Sequence, residues 1–551
     1  MEPLTSVDAA WLGMEDPTNL MMVSGILTLE RPVDFDKLKP VLETRLLQHQ
    51  RFRQCVIQPA RPMSPPYWQD DPNFDINSHV HRVALPAPGD QNTLQEMVSD
   101  IMSRPLDFSK PLWDMIVIEG YEDGCAIMSR LHHCIADGMA LVMVLLSMTD
   151  FTPDAPQPDN RPPDREESAG HRGPIGSIFK QAGTAVSTMR KMTRRAISEG
   201  FETLTNPTHA IELALKGSDS ALAAGRLVLR PPDPQTIFKG QLGVAKRAAW
   251  SKPIPLKDVK AIKNALGGTV NDVLVSAMTG SLRRYLVGRG EDVEDLNFRS
   301  VIPVNLRRQD EMQELGNKFG LVFLSMPIGI ADPLDRLLEV RQRMDELKGS
   351  QEAVAAFGIL KGIGMTPRDV QEEVVKMFGT KATAVLTNVP GPPMPLYFAG
   401  TKITGLMFWV PQSGRVSLGL SILSYAGKVF VGVATDAGLV PDPDTILTHL
   451  YTEFDQLKEL ARETEELAQQ KTKPATAPVE TAVSATTATA PEAEDLTAVK
   501  GIGPKFAERL HAAGIQTVAQ LLSTPASNLA NTLAVSESRA TAILEAAQTG
   551  M

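Results

Sequence analysis

The chain has 551 residues, of which 43% are hydrophobic and 22% charged. These values are ordinary for soluble globular proteins, and the length suggests three or four folding units. The 65 acidic residues outnumber the 55 basic ones, which excludes a general affinity for nucleic acid because such binding needs a basic face. Three scattered cysteines favour a reducing compartment over a disulfide framework or a zinc site.

The N-terminal residues lack the basic region of a secretory signal. No apolar run approaches the ~20 residues of a membrane span. We therefore expect a cytoplasmic protein that touches a membrane from one side at most.

Two changes in composition divide the chain. Residues 151–170 are rich in Pro and Asp, and Ala, Thr and Pro fill most of residues 474–493. Neither stretch can bury enough apolar surface to offset the entropy of ordering it. The predicted segments are a lobe at 1–150, a crossover at 151–235, a second lobe at 236–465, a linker at 466–494 and a small module at 495–551.

Strand and helix patterns mix in both lobes and predict an α/β fold with two halves. In the first lobe, residues 124–133 are typical of a strand. Residues 139–148 are apolar on all sides and predict a buried helix.

The second lobe continues the mixture. Residues 256–268 predict a helix that ends at its two glycines. Residues 269–290 predict another, with Asn271 or Asp272 as its start signal. Strands are predicted at 299–306, 321–330, 414–425 and 428–436.

One short motif can carry chemistry: HHxxxDG, formed by His132, His133, Asp137 and Gly138. A strand through both histidines places them on opposite faces, so they cannot easily serve one site. His133 then stands at the junction of strand and loop, where an imidazole can accept a proton and return it. Asp137 can cap the next helix, orient a donor or form an ion pair. A pair of core histidines beside a capping aspartate explains the spacing equally well.

The motif and its surroundings resemble the bacterial wax ester synthase/diacylglycerol acyltransferase family. This family is related to chloramphenicol acetyltransferase and to peptide-synthetase condensation domains. The similarity runs in the family's order over residues 4–465. It is carried by residues 5–23, 66–80, 104–114, 267–277, the Gly316-Asn317 pair and 387–393, besides HHxxxDG.

The resemblance implies a two-lobed, chloramphenicol acetyltransferase-like fold with its active site in a tunnel between the lobes. His133 would be the general base, with His132 and Asp137 beside it as catalytic residues, and Asp137 would hold the loop. The base would deprotonate a fatty alcohol or diacylglycerol, which attacks the thioester of acyl-CoA. Acyl-CoA is a substrate here, and neither a cofactor nor a metal is expected.

The resemblance also implies substrate-binding roles for Gly138, Asn271 and Asp272. The Asn271 amide would stand near the acyl-CoA or the oxyanion, although a helix cap shared with Asp272 accounts for it equally. Asn388 and Pro390 would shape the tunnel wall, with a turn as the simpler interpretation.

Apolar products imply work at the inner membrane or on lipid inclusions. Residues 175–198 combine helically spaced apolar residues with five basic and no acidic residues. Such a helix can lie on anionic lipid. A crossover helix with a solvated basic face is the alternative.

The C-terminal residues 496–522 resemble a helix-hairpin-helix motif, with Gly501 and Gly503 in the hairpin. A degenerate second copy follows. Such hairpins often bind DNA phosphate, but residues 496–551 carry only four basic residues against three acidic ones. DNA and protein partners both remain open.

Two other functions compete with acyl transfer to lipid alcohols. One is a condensation-type acyltransferase that uses another alcohol or an amine. The other is a non-catalytic tethering protein at a lipid surface, which the intact motif disfavours.

Overall fold

The computed structural model divides into two compact units, residues 1–473 and 474–551. The predicted basic helix at 175–198 and the predicted hairpin glycines Gly501 and Gly503 lie outside the described residues. The structure describes residues 2–59, 64–155, 225–307, 315–366, 368–412, 414, 416–472, 496, 499, 502, 504–533 and 537–549.

The first unit mixes strands and helices along its length, as the patterning predicts. The strands are β1 (Glu2–Pro3), β2 (Met22–Leu29), β3 (Gln54–Ile57), β4 (Tyr67–Asp70), β5 (Val80–Ala84), β6 (Trp113–Tyr121), β7 (Gly124–His132), β8 (Thr149–Asp150), β9 (Lys246–Trp250), β10 (Ile254–Pro255), β11 (Phe298–Asn305), β12 (Phe319–Met326), β13 (Ala384–Pro390), β14 (Tyr397–Phe398), β15 (Thr401–Trp409), β16 (Leu418–Tyr425) and β17 (Lys428–Asp436). The helices are α1 (Ser6–Gly13), α2 (Phe35–Val41), α3 (Gln91–Met102), α4 (Gly138–Met148), α5 (Leu256–Leu266), α6 (Val270–Gly288), α7 (Pro333–Lys348), α8 (Glu352–Ile363), α9 (Arg368–Gly379) and α10 (Pro443–Thr472).

The first large sheet has the strand order β5-β6-β7-β2-β15-β14-β8. Strand β15 pairs antiparallel with β2 and places Phe408 opposite Gly25. The predicted second lobe, 236–465, therefore contributes two strands to the sheet of the first. Pairing with β15 covers the edge of β2 that would otherwise be open.

The second large sheet has the order β10-β17-β16-β13-β11-β12, with β9 also on β17. Helices α6 and α10 pack beside it, and their apolar residues join one buried cluster with those of the sheet. The four strands predicted in the second lobe are present, with two shifts. The strand predicted to run to 330 ends at Met326, and the one predicted from 414 begins at Leu418.

The start of α6 differs from the prediction. Thr269 is the N-cap, because its hydroxyl accepts from Asp272 N at 3.2 Å and Asp272 Oδ2 accepts from Thr269 N at 2.8 Å. This is a capping box, in which the third helical residue closes back on the cap. Neither Asn271 nor Asp272 is the cap itself.

Helix α10 continues to Thr472, so the linker predicted at 466–494 begins inside it. The second unit has a buried apolar cluster of its own. Its helices are α11 (Pro504–Ala512), α12 (Val518–Leu522), α13 (Ala526–Leu533) and α14 (Glu537–Thr549). Among the described residues, no helix combines the length and hydropathy needed to cross a bilayer.

Candidate active site

The loop between β7 and α4 carries the HHxxxDG motif. Asp137 caps α4, its Oδ1 accepting from Ala140 N at 3.1 Å. The second lobe binds the loop through two backbone hydrogen bonds. Asp137 N donates to Gly316 O at 3.2 Å, and Gly316 N donates to Ile135 O at 3.2 Å. The motif is therefore fixed from both lobes.

His132 lies on the inner side of the loop, wholly buried. Its Nδ1 accepts from Cys134 N at 3.1 Å. The proton must therefore reside on Nε2, which lies 3.4 Å from Glu15 Oε2. His132 does not line either cavity described below, and its surroundings anchor the loop.

His133 faces a different environment, as the strand geometry predicts. Its ring stacks on Trp11 with centroids 4.1 Å apart, and Phe319 lies at 5.6 Å. Burial lowers the pKa of His133 to about 4, although the charge of Asp137 opposes this shift. The imidazole is therefore neutral near pH 7 and able to accept a proton.

Asn317 connects His133 to α1. Its Nδ2 donates to His133 O at 2.7 Å and to Asp8 Oδ1 at 2.8 Å. Burial raises the pKa of Asp8, and the Asn317 amide opposes that rise. Among the described residues, His133 Nδ1 and Asn317 Oδ1 are buried without a hydrogen-bond partner, which leaves Nε2 as the ring nitrogen for the cavity side.

Asp137 forms a buried ion pair with Arg307. The same carboxylate accepts from Lys318 N at 3.1 Å, and Arg307 Nη2 donates to Gly316 O at 2.5 Å. Both partners, Arg307 and Lys318, belong to the second lobe. In this geometry Asp137 holds the loop and supplies negative charge near His133.

His133 opens into a cavity with an empty volume of about 1380 Å³, here called the His133 cavity. Its floor consists of three cross-strand pairs from β11 and β12, and its walls include α8, α9 and β13. The pairs, from the end nearest His133 outward, are Asn305–Phe319, Pro303–Leu321 and Val301–Phe323. The lining is polar near the imidazole and apolar farther away.

A second cavity, here called the α4 cavity, has an empty volume of about 1130 Å³. Side chains of α4, β2 and β15 line it, and most are aliphatic. This explains why the predicted helix at 139–148 is apolar on all sides: one part faces the core and another faces the cavity. Gly138 and Val389 line both cavities.

The three predicted substrate-binding residues occupy different positions. Gly138 lines both cavities, and the space where its Cβ would stand is open. Asn271 does not line the His133 cavity but contacts a residue that does. Its Oδ1 accepts a hydrogen bond from Asn388 Nδ2 at 2.6 Å. Asp272 closes the capping box of α6, and neither it nor Asn271 is among the described residues that line the cavities.

Asn388 and Pro390 belong to β13, so the interpretation of this stretch as a turn is wrong. Asn388 lines the His133 cavity, as its neighbour Val389 does. Parallel pairing with β16 holds both residues in an extended strand.

Sequence reasoning assigned no role to four residues that build the site. They are Trp11, Glu15, Arg307 and Asn317. Trp11, Glu15 and Asn317 stand in stretches that carry the family resemblance. No spacing rule indicates their contacts, because each reaches the motif from a distant part of the chain.

Comparison with known proteins decides the family. The profile of the wax ester synthase/diacylglycerol acyltransferase catalytic domain matches residues 4–274, and that of the WS/DGAT C-terminal domain matches residues 315–458. The probable diacylglycerol O-acyltransferase tgs1 of Mycobacterium tuberculosis H37Rv is 30% identical over 458 residues, covering 80% of this chain and 92% of the relative. The chain belongs to the wax ester synthase/diacylglycerol acyltransferase family.

Solved structures share the fold of this family member. The wax ester synthase/diacylglycerol acyltransferase of Marinobacter aquaeolei VT8 is similar with a TM-score of 0.58 at 22% identity, covering 84% of this chain and all of that one. The starter condensation domain of rhizomide synthetase, solved with C8-CoA and Leu-SNAC, gives 0.51 at 12% identity, covering 84% and 94%. The predicted two-lobed α/β acyltransferase fold is confirmed.

The second unit has a separate relationship. The profile of the SAM-like helix-hairpin-helix tandem matches residues 493–549. This confirms the predicted class of the C-terminal module in this acyltransferase. The partner of the module stays a prediction.

Proposed function

We propose that the chain transfers a fatty acyl group from acyl-CoA to the hydroxyl of a diacylglycerol or a long-chain fatty alcohol, with His133 as the general base. The observation that carries this proposal is a neutral, buried imidazole at the polar end of a long apolar cavity. The tgs1 relative is named a diacylglycerol O-acyltransferase, and a condensation-domain neighbour was solved with C8-CoA. Both support this donor and this class of acceptor.

The reaction proceeds by direct transfer. His133 Nε2 takes the hydroxyl proton while the oxygen attacks the thioester carbonyl. The oxyanion collapses, the carbon–sulfur bond breaks, and the imidazolium returns its proton to the departing thiolate. The carboxylate of Asp137 stabilises the transient imidazolium, and its ion pair with Arg307 keeps the loop in place.

The amides near the cavity serve positioning roles in this proposal. Asn388 presents its amide to the His133 cavity, and Asn271 orients it through the 2.6 Å hydrogen bond. Asn317 holds the backbone of His133, and in this proposal its buried Oδ1 is the acceptor for the Nδ1 proton. This selects the tautomer in which Nε2 is the base.

The two cavities suit two apolar chains. They approach each other at Gly138 and Val389, beside the motif. One hydrocarbon chain can therefore lie along β12 while the other lies against α4, with both reactive ends near His133. Burial of such chains favours binding by about 0.8 kcal/mol per methylene.

A thiol-release assay tests the proposed function. The full chain is mixed with palmitoyl-CoA and hexadecanol, diolein or a long-chain amine, and wild type is compared with His133→Ala. We expect release and ester formation with the alcohols, reduced by about 10²–10⁴-fold in the variant. Equal release from both proteins contradicts the role of His133, and exclusive use of the amine favours the condensation-type alternative.

We also propose that the enzyme collects its substrates from the surface of the inner membrane or of lipid inclusions, as a peripheral cytoplasmic protein. Helices α8 and α9 line the His133 cavity on their inner faces. Near their junction Met365 is 76% exposed and Val370 46%. Large exposed apolar side chains next to helices that line a cavity suit contact with lipid.

Flotation with anionic vesicles tests this localisation. Met365→Glu combined with Val370→Glu should reduce the vesicle-bound fraction. Leu338→Glu, which changes a residue on α7 that is as exposed as Val370, serves as the control. Equal binding of all three proteins would exclude this surface as the lipid contact.

A further inference from the structure

Leu227 lies behind the far wall of the His133 cavity, near the start of the described residues that follow residue 155. Residues 225–229 are helical, and Leu227 is only 1% exposed although its neighbour Leu229 is 83% exposed. Leu227 belongs to a small apolar cluster that is distinct from the two main cores of the unit. Its other members are Val301, Phe323, Ala355, Ala356, Ile359, Phe378 and Ala382.

All of these members except Ala355 also line the His133 cavity. Leu227 is not itself a lining residue, so it stands directly behind the wall. The wall at this end consists of Phe323, Ala382 and the inner face of α8. A change in the volume of Leu227 is therefore transmitted to the cavity through tightly packed neighbours.

Two cations, the buried Lys381 and the partly buried Arg230, hold residues 227–233 in position. Lys381, 4% exposed, donates through Nζ to Leu227 O at 3.0 Å and also to Val228 O. Arg230 forms an ion pair with Glu352 at 2.7 Å and lies over the ring of Phe323 at 4.9 Å.

Asp233 completes the attachment. Its Oδ2 accepts from Arg299 N and from Thr383 Oγ1, both at 2.8 Å. These charged groups are held by ion pairs and hydrogen bonds, and removing one partner would leave a buried charge uncompensated. The segment at 227–233 is therefore a fixed part of the wall.

The position of Leu227 along the cavity follows from the strand register. Phe319 lies against His133, and Phe323 is four residues farther along β12 on the same face. At a rise of about 3.3 Å per residue, Phe323 is roughly 13 Å from the reacting end. The intervening floor is apolar, so the far end suits the methyl terminus of a hydrocarbon chain.

We propose that Leu227 is a specificity-determining residue, the stop that sets how long a hydrocarbon chain the His133 cavity accepts. The proposal rests on the proposed acyl transfer. The chain belongs either to the acyl-CoA or to the alcohol, since both present the same methylene surface to this wall.

The test measures chain-length preference in two series: acyl-CoAs of increasing length with one alcohol, and alcohols of increasing length with one acyl-CoA. Leu227→Ala leaves more room behind the far wall for the end of a long chain. It should raise the ratio of kcat/KM for long over short chains by about tenfold in one series, because each methylene that a pocket accepts or rejects changes kcat/KM substantially. Ala382→Val adds volume to a lining residue of the same cluster and should lower that ratio. Leu229→Ala, on the same helical turn but exposed, should leave it unchanged.

The outcomes separate this proposal from the proposed function. A wild-type enzyme that releases no thiol with any donor–acceptor pair contradicts the proposed function. An active wild type whose ratios stay the same in both series for Leu227→Ala and Ala382→Val overturns the role of Leu227. If Leu227→Ala lowers the unfolding temperature into the assay range, Leu227→Val replaces it and should shift the ratio in the same direction by a smaller factor.

Discussion

At the scale of single residues, the site depends on keeping one imidazole dry and correctly oriented. Trp11 stacks on His133, and Asn317 holds its carbonyl from the opposite lobe. Burial disfavours the charged form of histidine, which explains the lowered pKa. In the folded protein the imidazole therefore stays neutral well below the usual pKa range of histidine.

The activity should accordingly persist to lower pH than an exposed histidine would permit. With a pKa of about 4 for His133, kcat/KM for a short, water-soluble acyl-CoA should stay level from pH 7 to pH 5.5. An exposed imidazole with a pKa near 6.5 would lose most of its base form over the same interval. A pH profile of kcat/KM with its midpoint near pH 6.5 would contradict the buried environment of His133.

The same lowered pKa predicts a pH-dependent stability. Between pH 6.5 and about 4 the unfolded chain binds a proton at His133 that the folded chain does not, so stability falls as the pH falls. Relative to His133→Gln, wild type should lose roughly 2 kcal/mol more of unfolding free energy between pH 7 and pH 5. Urea unfolding followed by tryptophan fluorescence measures this, because all five tryptophans lie in the first unit. Parallel curves for both proteins would disprove it.

Asn317 positions His133 through two hydrogen bonds of its amide, one to the buried Asp8 carboxyl and one to the His133 carbonyl. Such bonds are worth about 1.5–3 kcal/mol. Asn317→Leu should therefore lower kcat by about 10- to 100-fold, with a smaller change in KM. Asp8→Asn keeps an oxygen acceptor for the Asn317 amide and serves as the matched control, with a much smaller effect. Steady-state kinetics distinguish the two variants. An effect of Asn317→Leu on KM alone would argue for a role in binding instead of positioning.

At the scale of elements, α4 has two structural roles, and its uniformly apolar sequence does not show which residues serve which role. Its N-terminus places Asp137 and Gly138 at the reacting end, and its aliphatic side chains line the α4 cavity. A helix that is apolar all round is normally buried on every side. Here part of that apolar surface faces empty space that a hydrocarbon chain can fill.

Gly138 tests this arrangement, because a Cβ there meets no atom within 4 Å. Gly138→Ala should fold normally and retain most activity. Gly138→Val should also fold but should lose activity toward long chains far more than toward short ones, since the added methyls enter the space shared by the cavities. Product analysis with C4 and C16 substrates measures the difference. Equal losses for both lengths would place the substrates elsewhere.

At the scale of the whole molecule, the two units have separate cores. The buried cluster of the second unit runs from Leu496 to Ala547 and includes no residue of the first. Every side chain described at the candidate site lies in residues 1–473. The helix-hairpin-helix module therefore contributes no described group to the chemistry.

A chain truncated after Lys473 should keep acyl transfer within about twofold of the full protein. Its urea unfolding by tryptophan fluorescence should be unchanged, because the midpoint depends on surface buried within that unit. Thiol release from hexadecanol and palmitoyl-CoA provides the readout. A folded but inactive truncated protein would show that the module is needed for activity.

Local sequence patterns are sufficient to predict many of the helices and strands and the HHxxxDG motif. Period-two and helical patterns located β7, α4, α5 and the strands of the second lobe, since these periodicities follow from backbone geometry alone. The cap of α6 was missed because Thr269, Asn271 and Asp272 are all good capping residues, and only backbone dihedrals choose among them.

The sequence by itself determined the fold class, the family resemblance and the position of His133 at the end of a strand, because all three are written in contiguous residues. Only the tertiary structure decided what surrounds that histidine. Trp11 and Asn317 reach it from different elements, and Arg307 reaches Asp137 beside it. Strands β14 and β15 complete a sheet whose other strands lie in the first 150 residues. Burial, ion pairing and cavity shape depend on such distant contacts, which no local pattern encodes.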